Sequence, residues 1–241
     1  MKGTIYGIGL GPGDPELVSL KAYNLIKKNK DIFFFRKKNS TGKVSQIAKK
    51  FHQKKTVEHV MEFPVTTEIS FSSKEYKTLL SDFYDECCRR IKLITNDKKN
   101  VIVLCEGDPF FYGSFMHLYE RLKDTEEIEI ISGISGMTAA WNATKIPITW
   151  GDDVLTVVMG TMDEKKIFKS IKYSDSIIFM KIGRHFEKIL RIIKKSELLK
   201  SAFLVEYASM PNEKVTKLED FKGINVPYFS IIIIHGKGRR P

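Results

Sequence analysis

Residues 101–113 read VIVLCEGDPFFYG and give the clearest sequence indication of the fold class. Its first four residues form an unbroken apolar run, which is typical of a parallel strand buried on both faces. The apolar residues from Phe115 to Leu122 then recur at helical spacing. Between strand and helix lies a tight turn that carries Glu106, Asp108 and three consecutive aromatic rings. Because ligands of open α/β sheets bind at the carboxyl ends of strands, we expect a binding site at this turn.

The rest of the chain alternates short apolar runs with helical or polar segments, a pattern that predicts an α/β protein with a mainly parallel sheet in its first half. The clearest helix carries an apolar stripe from Tyr76 to Ile94. A connector at residues 146–153 predicts two domains, 1–148 and a smaller 149–241. The strand candidates are Thr4–Leu10, Ile32–Phe35, Val57–Phe63, Val101–Cys105, Ile128–Ile131, Val154–Met159, Ser176–Met180, Ala202–Glu206 and Tyr228–Ile234.

The composition narrows the possible cellular compartments and binding partners. No apolar run reaches membrane-spanning length, glycines interrupt the N-terminal apolar segment, and three cysteines make neither a disulfide framework nor a metal-ligand set. We therefore expect a cytoplasmic protein without a metal site. The formal charge of +11 favours an acidic partner, which leaves nucleic acid, a membrane surface and a polyanionic small molecule open.

A glycine-rich segment, Gly7–Glu16, follows the first strand candidate. Its spacing does not fit a dinucleotide fingerprint, because proline or a carboxylate stands wherever the third glycine is required. Asp14 is predicted to cap the next helix, with Pro15 at its first position, and a phosphate beside Asp14 would be repelled. We expect these glycines to let the backbone approach a large ligand closely.

An acidic and aromatic turn suits a cationic ligand that lacks phosphate. S-adenosylmethionine is such a ligand, since it combines a sulfonium, an amino group, a ribose diol and an adenine ring. Carboxylates accept hydrogen bonds from the diol or the amine, and aromatic rings pack on adenine or face the sulfonium.

The segments Gly7–Asp14 and Glu106–Pro109 resemble those of the tetrapyrrole methyltransferases, the class III methyltransferases. That resemblance implies two α/β domains with S-adenosylmethionine in the cleft between them. Further segments resemble the precorrin-2 C(20)-methyltransferases of cobalamin biosynthesis, in collinear order over nearly the whole chain. They are Pro64–Glu68, Ser81–Asp85, Cys105–Ser114, Met180–Arg184, Val205–Met210 and Pro227–Ser230.

The resemblance also implies which residues contact the cofactor. Ser135 and Gly136 stand where relatives often have Thr-Ala, so a hydroxyl contact would have to come from Ser135. Arg36 replaces an aspartate that is usual in uroporphyrinogen-methylating relatives, which counts against that activity. The implied cofactor contacts are Pro12, Glu106, Gly107, Asp108, Phe111, Ser135, Gly136, Met180 and Ala208.

The implied reaction is transfer of a methyl group to carbon 20 of precorrin-2 or cobalt-factor II, within a homodimer. The substrate is a polycarboxylate tetrapyrrole, and neither nucleic acid nor a membrane is an expected partner. Basic residues of the protein would bind the carboxylates of this substrate. The sequence identifies no catalytic base. The candidate substrate contacts are Arg36, Tyr112, Lys181 and Arg184.

Three alternatives stay open at this point. Related methylases act on uroporphyrinogen III or precorrin-4, and distant relatives of the fold methylate RNA. A nicotinamide oxidoreductase is a third alternative, although the glycine spacing weakens it.

Overall fold

The computed structural model describes residues 2–40, 42–66, 68–69 and 73–236; Thr67, part of the Pro64–Glu68 segment, lies outside them. The chain divides into two compact units between Ser135 and Gly136. The sequence places the boundary later, after residue 148. The difference arises because the helix that starts at Gly136 packs on strands of the second unit.

The first unit contains five parallel strands, as the apolar runs predict. Their order in the sheet is β3-β2-β4-β1-β5, so β4 lies between β2 and β1. Strand β4 is buried along its whole length, which explains its unbroken apolar sequence. The strands are β1 Ile5–Gly9, β2 Asp31–Arg36, β3 Val57–Glu62, β4 Val101–Cys105 and β5 Ile128–Ile131.

Four helices cover the two faces of this sheet. Helices α1 (Leu20–Lys28) and α2 (Lys43–Ala48) share an apolar core with the strand side chains on one face of the sheet. Helices α3 (Lys74–Asn96) and α4 (Phe115–Leu122) share a second core with the alternating strand side chains, which lie on the other face. The helices that follow β1 and β4 therefore lie on opposite faces of the sheet. Since β1 and β4 are neighbours, their carboxyl ends form the topological switch point, where ligands of such sheets bind.

The start of α1 differs from the sequence prediction. Asp14 does cap a helical segment, because its carboxylate accepts the Glu16 backbone N–H at 2.9 Å. That segment is only a 3-10 turn, Pro15–Leu17. Helix α1 begins at Leu20, and Ser19 caps it by accepting the Ala22 backbone N–H at 3.2 Å. Serine at an N-cap position was the signal for this start.

The second unit is built on a mixed sheet in the order β6-β7-β10-β8-β9. Strand β6 is parallel to β7, and β10 runs antiparallel between β7 and β8. Helices α6 (Glu164–Lys172) and α7 (Phe186–Lys195) pack on one face of the sheet, and α5 (Gly136–Ala143) packs on the other. The strands are β6 Leu155–Met159, β7 Ser176–Met180, β8 Ala202–Glu206, β9 Lys214–Lys217 and β10 Ser230–Ile234.

Candidate functional site

Three glycines bring the loops at the switch point into close contact. A Cβ atom on Gly9 would lie 2.4 Å from the Gly107 carbonyl oxygen and 2.6 Å from the Gly133 nitrogen. A Cβ atom on Gly133 would lie 2.1 Å from the same carbonyl oxygen. Gly107 itself has a φ of 63°, which favours glycine. The ends of β1, β4 and β5 therefore meet backbone to backbone, with no room for side chains between them.

This contact corrects one expectation about the glycine-rich segment. Gly7 and Gly9 lie inside β1 and serve packing within the protein, rather than approach of a ligand. The Phe115 ring fills the space where a Gly7 side chain would stand. Gly11 has a φ of 77°, and its backbone pairs with Gly107 in both directions, at 2.9 and 3.3 Å. This pairing places Pro12, the next residue, beside the Glu106–Asp108 turn.

The Asp108 carboxylate holds two loops together. One oxygen accepts the Phe110 backbone N–H at 2.9 Å, and the other accepts the Gly133 backbone N–H at 3.1 Å. Asp108 thus fixes the turn after β4 to the loop after β5. Glu106, two residues earlier, is exposed. Gly133 belongs to the site although the sequence prediction omits it, because only the structure reveals how closely the loops approach.

The three aromatic rings of the turn have different surroundings. Phe110 packs edge-on against Tyr119 of α4, with centroids 4.7 Å apart, so it anchors the turn to the helix. Phe111 is half-buried and makes an edge contact with Tyr112 at 4.8 Å. Tyr112 is 45% exposed and has a φ of 54°, a left-handed conformation that bulky residues rarely adopt. Such backbone strain is concentrated at functional sites in proteins.

Arg36 lies at the carboxyl end of β2, but its charge is already paired. Its guanidinium bonds Glu62 at 2.9 Å through both Nε and Nη2, and Glu62 is its register partner on β3. A substrate carboxylate at Arg36 would have to compete with Glu62.

The second unit places four predicted site residues at or after the carboxyl ends of β7 and β8. Met180 ends β7 and Ala208 follows β8, two parallel strands that flank β10. Lys181 is exposed and has a φ of 53°. Arg184 is also exposed and lies in a 3-10 turn with His185. Burial, then the neighbouring Lys188 and Arg184, lower the pKa of His185, which disfavours its charged form.

The cysteines are buried and poorly suited to nucleophilic or metal chemistry. Burial raises the pKa of Cys88 to about 11 and that of Cys87 to about 12. Burial also raises the pKa of Cys105, and Asp108 and Glu106 raise it further. Among the residues described, no group of three or more His, Cys, Asp or Glu is arranged to hold a metal. Within the same ranges, no helix is both long and apolar enough to cross a bilayer.

The positive charge is concentrated in one segment, a feature that the sequence interpretation overlooks. Residues 27–55 contain eleven lysines and arginines and a single acidic residue, Asp31. The formal net charge of this segment is therefore +10, compared with +11 for the whole chain. Most of these basic residues precede β2 or β3, at the amino edge of the sheet, opposite the Glu106 turn. The exposed lysines at that edge are Lys27, Lys28, Lys30, Lys49, Lys50, Lys54 and Lys55.

Comparison with known proteins identifies the family. Residues 4–221 match the tetrapyrrole (corrin/porphyrin) methylases. The chain belongs to this family. It is 36% identical to the precorrin-2 C(20)-methyltransferase of Sinorhizobium sp, over 99% of this chain and 98% of that protein.

Two further tetrapyrrole methylases extend the comparison. The chain is 30% identical to a probable cobalt-precorrin-2 C(20)-methyltransferase of Methanocaldococcus jannaschii, over 95% of each protein. Its fold matches a uroporphyrin-III C-methyltransferase from Thermus thermophilus, solved as a complex with S-adenosylhomocysteine. That match has a TM-score of 0.67 and 18% identity, and it covers 97% of both chains. The predicted fold class, two α/β units of the tetrapyrrole methylase type, is thereby confirmed.

The structure brings together four predicted cofactor residues: Pro12, Glu106, Gly107 and Asp108. Phe111 belongs to the same turn. Ser135 ends the first unit and Gly136 begins α5 in the second. Their contact with the cofactor, like that of Met180 and Ala208, stays a prediction.

Proposed function

We propose that this tetrapyrrole methylase transfers the methyl group of S-adenosylmethionine to carbon 20 of precorrin-2 or its cobalt form, in cobalamin biosynthesis. The likeness to two C(20)-methyltransferases over almost the whole chain carries this proposal. The site geometry supports the cofactor independently.

The switch point of the first unit fits S-adenosylmethionine. The close contact of Gly9 and Gly133 with Gly107 fixes the loops at the switch point, and the Gly11–Gly107 pairing places Pro12 beside the Glu106–Asp108 turn. The exposed Glu106 carboxylate is suited to accept hydrogen bonds from a ribose diol or an amine. Phe111 supplies an apolar surface for the adenine ring. A carboxylate-bearing turn would repel the phosphates of a dinucleotide.

The second unit supplies the remaining proposed contacts. Met180 and Ala208 are proposed to contact the cofactor. Lys181 and Arg184 are proposed to bind substrate carboxylates, since both are exposed and cationic after the carboxyl end of β7. Tyr112 and Arg36 are further proposed substrate contacts, and Arg36 would exchange Glu62 for a substrate carboxylate.

The reaction requires little of the protein beyond alignment of the methyl group with carbon 20 of the substrate. When bound, the cofactor supplies an electrophilic methyl group, and carbon 20 of the reduced tetrapyrrole is already nucleophilic. Holding the two in line contributes up to about 7–11 kcal/mol in favourable intramolecular cases. A proton must leave after transfer. We assign that proton to no side chain.

We further propose that the enzyme is cytoplasmic and homodimeric, and that neither nucleic acid nor a membrane is its partner. The absence of a disulfide supports a reducing compartment, because Cys87, Cys88 and Cys105 are all free thiols. Size-exclusion chromatography with light scattering tests the dimer, and a mass of 27.7 kDa would contradict it.

Calorimetric titration with S-adenosylhomocysteine and, separately, NAD tests the cofactor assignment. We expect binding of S-adenosylhomocysteine only. Glu106→Gln should weaken that binding about tenfold, the value of one charged hydrogen bond. The control is Glu120→Gln, since Glu120 pairs with Lys123 on the surface of α4. Binding of NAD alone would refute the assignment.

An RNA-directed methyltransferase of the same fold is the second candidate. The concentration of ten net positive charges in residues 27–55 favours it, because phosphate backbones bind such surfaces. A salt-dependent RNA gel shift at micromolar protein would support this candidate. Methylation of uroporphyrinogen III or precorrin-4 is distinguished by the position of the methyl group in the product.

A further inference from the structure

The loop that joins β8 to β9 carries backbone strain on both sides of a proposed cofactor contact. Tyr207 has a φ of 54° and Ser209 a φ of 60°, and Ala208 lies between them. Left-handed backbone is disfavoured for residues that carry a side chain, and most of all for bulky ones such as tyrosine. Glycine would adopt it without strain, and glycine is common in hairpin connections for that reason. The hairpin loop, residues 207–213, therefore has a backbone that its own sequence disfavours.

The position of this strain differs from that of other left-handed residues in the chain. Lys98, Lys145 and Glu197 each lie two residues beyond the end of a helix, where a left-handed residue commonly ends the helix. Tyr207 instead follows directly on the last residue of β8, at the carboxyl end of that strand. Strained residues of this kind persist only where the surrounding structure over-determines them, and they cluster at ligand sites.

Hydrogen bonds hold the hairpin loop in this conformation. The Tyr207 backbone N–H donates to the Phe229 carbonyl oxygen at 2.8 Å, which ties the start of the loop to the segment before β10. Inside the loop, the Met210 N–H donates to the Tyr207 carbonyl oxygen, and the Glu213 N–H donates to the Met210 carbonyl oxygen, both at 2.9 Å. The Glu213 side chain completes this set, because its Oε2 accepts the Ser209 backbone N–H at 2.6 Å.

Ala208 is thus fixed on both sides. Phe229 holds Tyr207 through its backbone carbonyl, and its ring also lies beside the Tyr207 ring, with centroids 6.4 Å apart. On the other side, a carboxylate holds the Ser209 backbone. Glu213 is exposed, so its side chain can be removed without opening a cavity in the apolar core.

We propose that Glu213 is a positioning residue, which holds the Ser209 backbone and thereby keeps Ala208 in the conformation that contacts the cofactor. The inference rests on the proposed function, because Ala208 is a proposed contact of S-adenosylmethionine. Without the carboxylate, Ser209 relaxes toward the right-handed or extended backbone that serine favours. That rotation moves the neighbouring Ala208 peptide, and cofactor binding weakens.

Substitutions in the full chain test this role by calorimetric titration with S-adenosylhomocysteine. Glu213→Ala removes the acceptor, and we expect binding to weaken about tenfold, the value of one charged hydrogen bond. Glu213→Gln keeps a side-chain oxygen that accepts the Ser209 N–H, so its binding should stay within about threefold of the unmodified chain.

Asp175→Ala is the matched control. The exposed Asp175 carboxylate also accepts a backbone N–H, that of Val154 at 2.8 Å, but it precedes β7 and lies at the opposite end of the sheet. This variant should lose a comparable contact and bind S-adenosylhomocysteine as the unmodified chain does.

Stoichiometry and amide exchange separate positioning from loss of stability. Partial unfolding would lower the number of binding equivalents, whereas displacement of Ala208 raises the Kd at full stoichiometry. Without ligand, exchange of the Ser209 and Met210 amides should accelerate in Glu213→Ala and stay unchanged in Asp175→Ala.

Two results would overturn the proposal: an unchanged Kd in folded Glu213→Ala, or binding by Glu213→Gln as weak as that of Glu213→Ala. If the unmodified chain binds no S-adenosylhomocysteine, the proposed function fails, and the cofactor part of this proposal fails with it. Faster exchange in Glu213→Ala would then still support the hold of Glu213 on the hairpin loop, and unchanged exchange would overturn that as well.

Discussion

Substitution of Gly133 by alanine tests the backbone contact that builds the candidate site. The new Cβ atom would lie 2.1 Å from the Gly107 carbonyl oxygen, about 1.3 Å short of the 3.4 Å at which ordinary contact begins. It would also lie 2.7 and 2.8 Å from the C and Cα atoms of Gly9. All three neighbours are backbone atoms, so no side-chain rotation relieves the overlap.

The loops after β1, β4 and β5 must therefore separate or strain. Overpacking of a tight site costs about 1–3 kcal/mol and occasionally more. With three backbone overlaps, we expect Gly133→Ala to lower the free energy of unfolding by at least about 3 kcal/mol. Chemical denaturation measures this value. We also expect S-adenosylhomocysteine binding to be lost in whatever fraction remains folded.

Gly183→Ala is the matched control, because its Cβ atom would meet nothing within 4 Å. It should change the free energy of unfolding by less than about 1 kcal/mol. If Gly133→Ala is as stable as this control, the close approach of the three glycines is refuted.

Three other predictions concern the rest of the molecule. The Glu126 side chain is fully buried and accepts hydrogen bonds from Lys2 at 2.8 Å and from Thr95 at 3.1 Å. Glu126→Ala should lower the free energy of unfolding by about 1–3 kcal/mol in chemical denaturation. Glu129→Ala should lower it by at most about 1 kcal/mol, because the Glu129 side chain is 43% exposed. Equal losses would contradict that difference. Burial lowers the pKa of four histidines below 6.5, so the unfolded chain binds more protons and the free energy of unfolding should fall between about pH 7.5 and 5.5. A flat profile would contradict the lowered pKa values of these histidines, which are His52, His117, His185 and His235. Ellman's reagent should label none of the three thiols in the folded protein and all three after unfolding, and rapid labelling of the folded chain would be inconsistent with their burial.

Most of the fold could be predicted because its strands are apolar. The run Val101–Cys105 and the other strand candidates match the observed strands to within two residues at every end. Strand β9 was missed since its sequence is KVTK, and it is an exposed edge strand paired only with β8. Lysine on an edge strand hinders pairing with other chains, and it also removes the apolar signal.

The position of the candidate site could be predicted from the sequence, but the contacts that bring its loops together could not. The acidic turn after a buried strand indicated where a ligand binds. No sequence pattern could reveal that Gly9 packs against Gly133, which lies far away along the chain, or that Asp108 bonds the Gly133 backbone. Contacts of this kind depend on strand order.

Anaerobic incubation with S-adenosylmethionine and precorrin-2, with and without cobalt, tests whether the protein methylates carbon 20. Mass spectrometry and NMR of the product report the number and position of new methyl groups. We expect a gain of one methyl group, located on carbon 20, with at least one of the two substrates. No mass gain with either substrate, or a methyl group on another carbon, would contradict it.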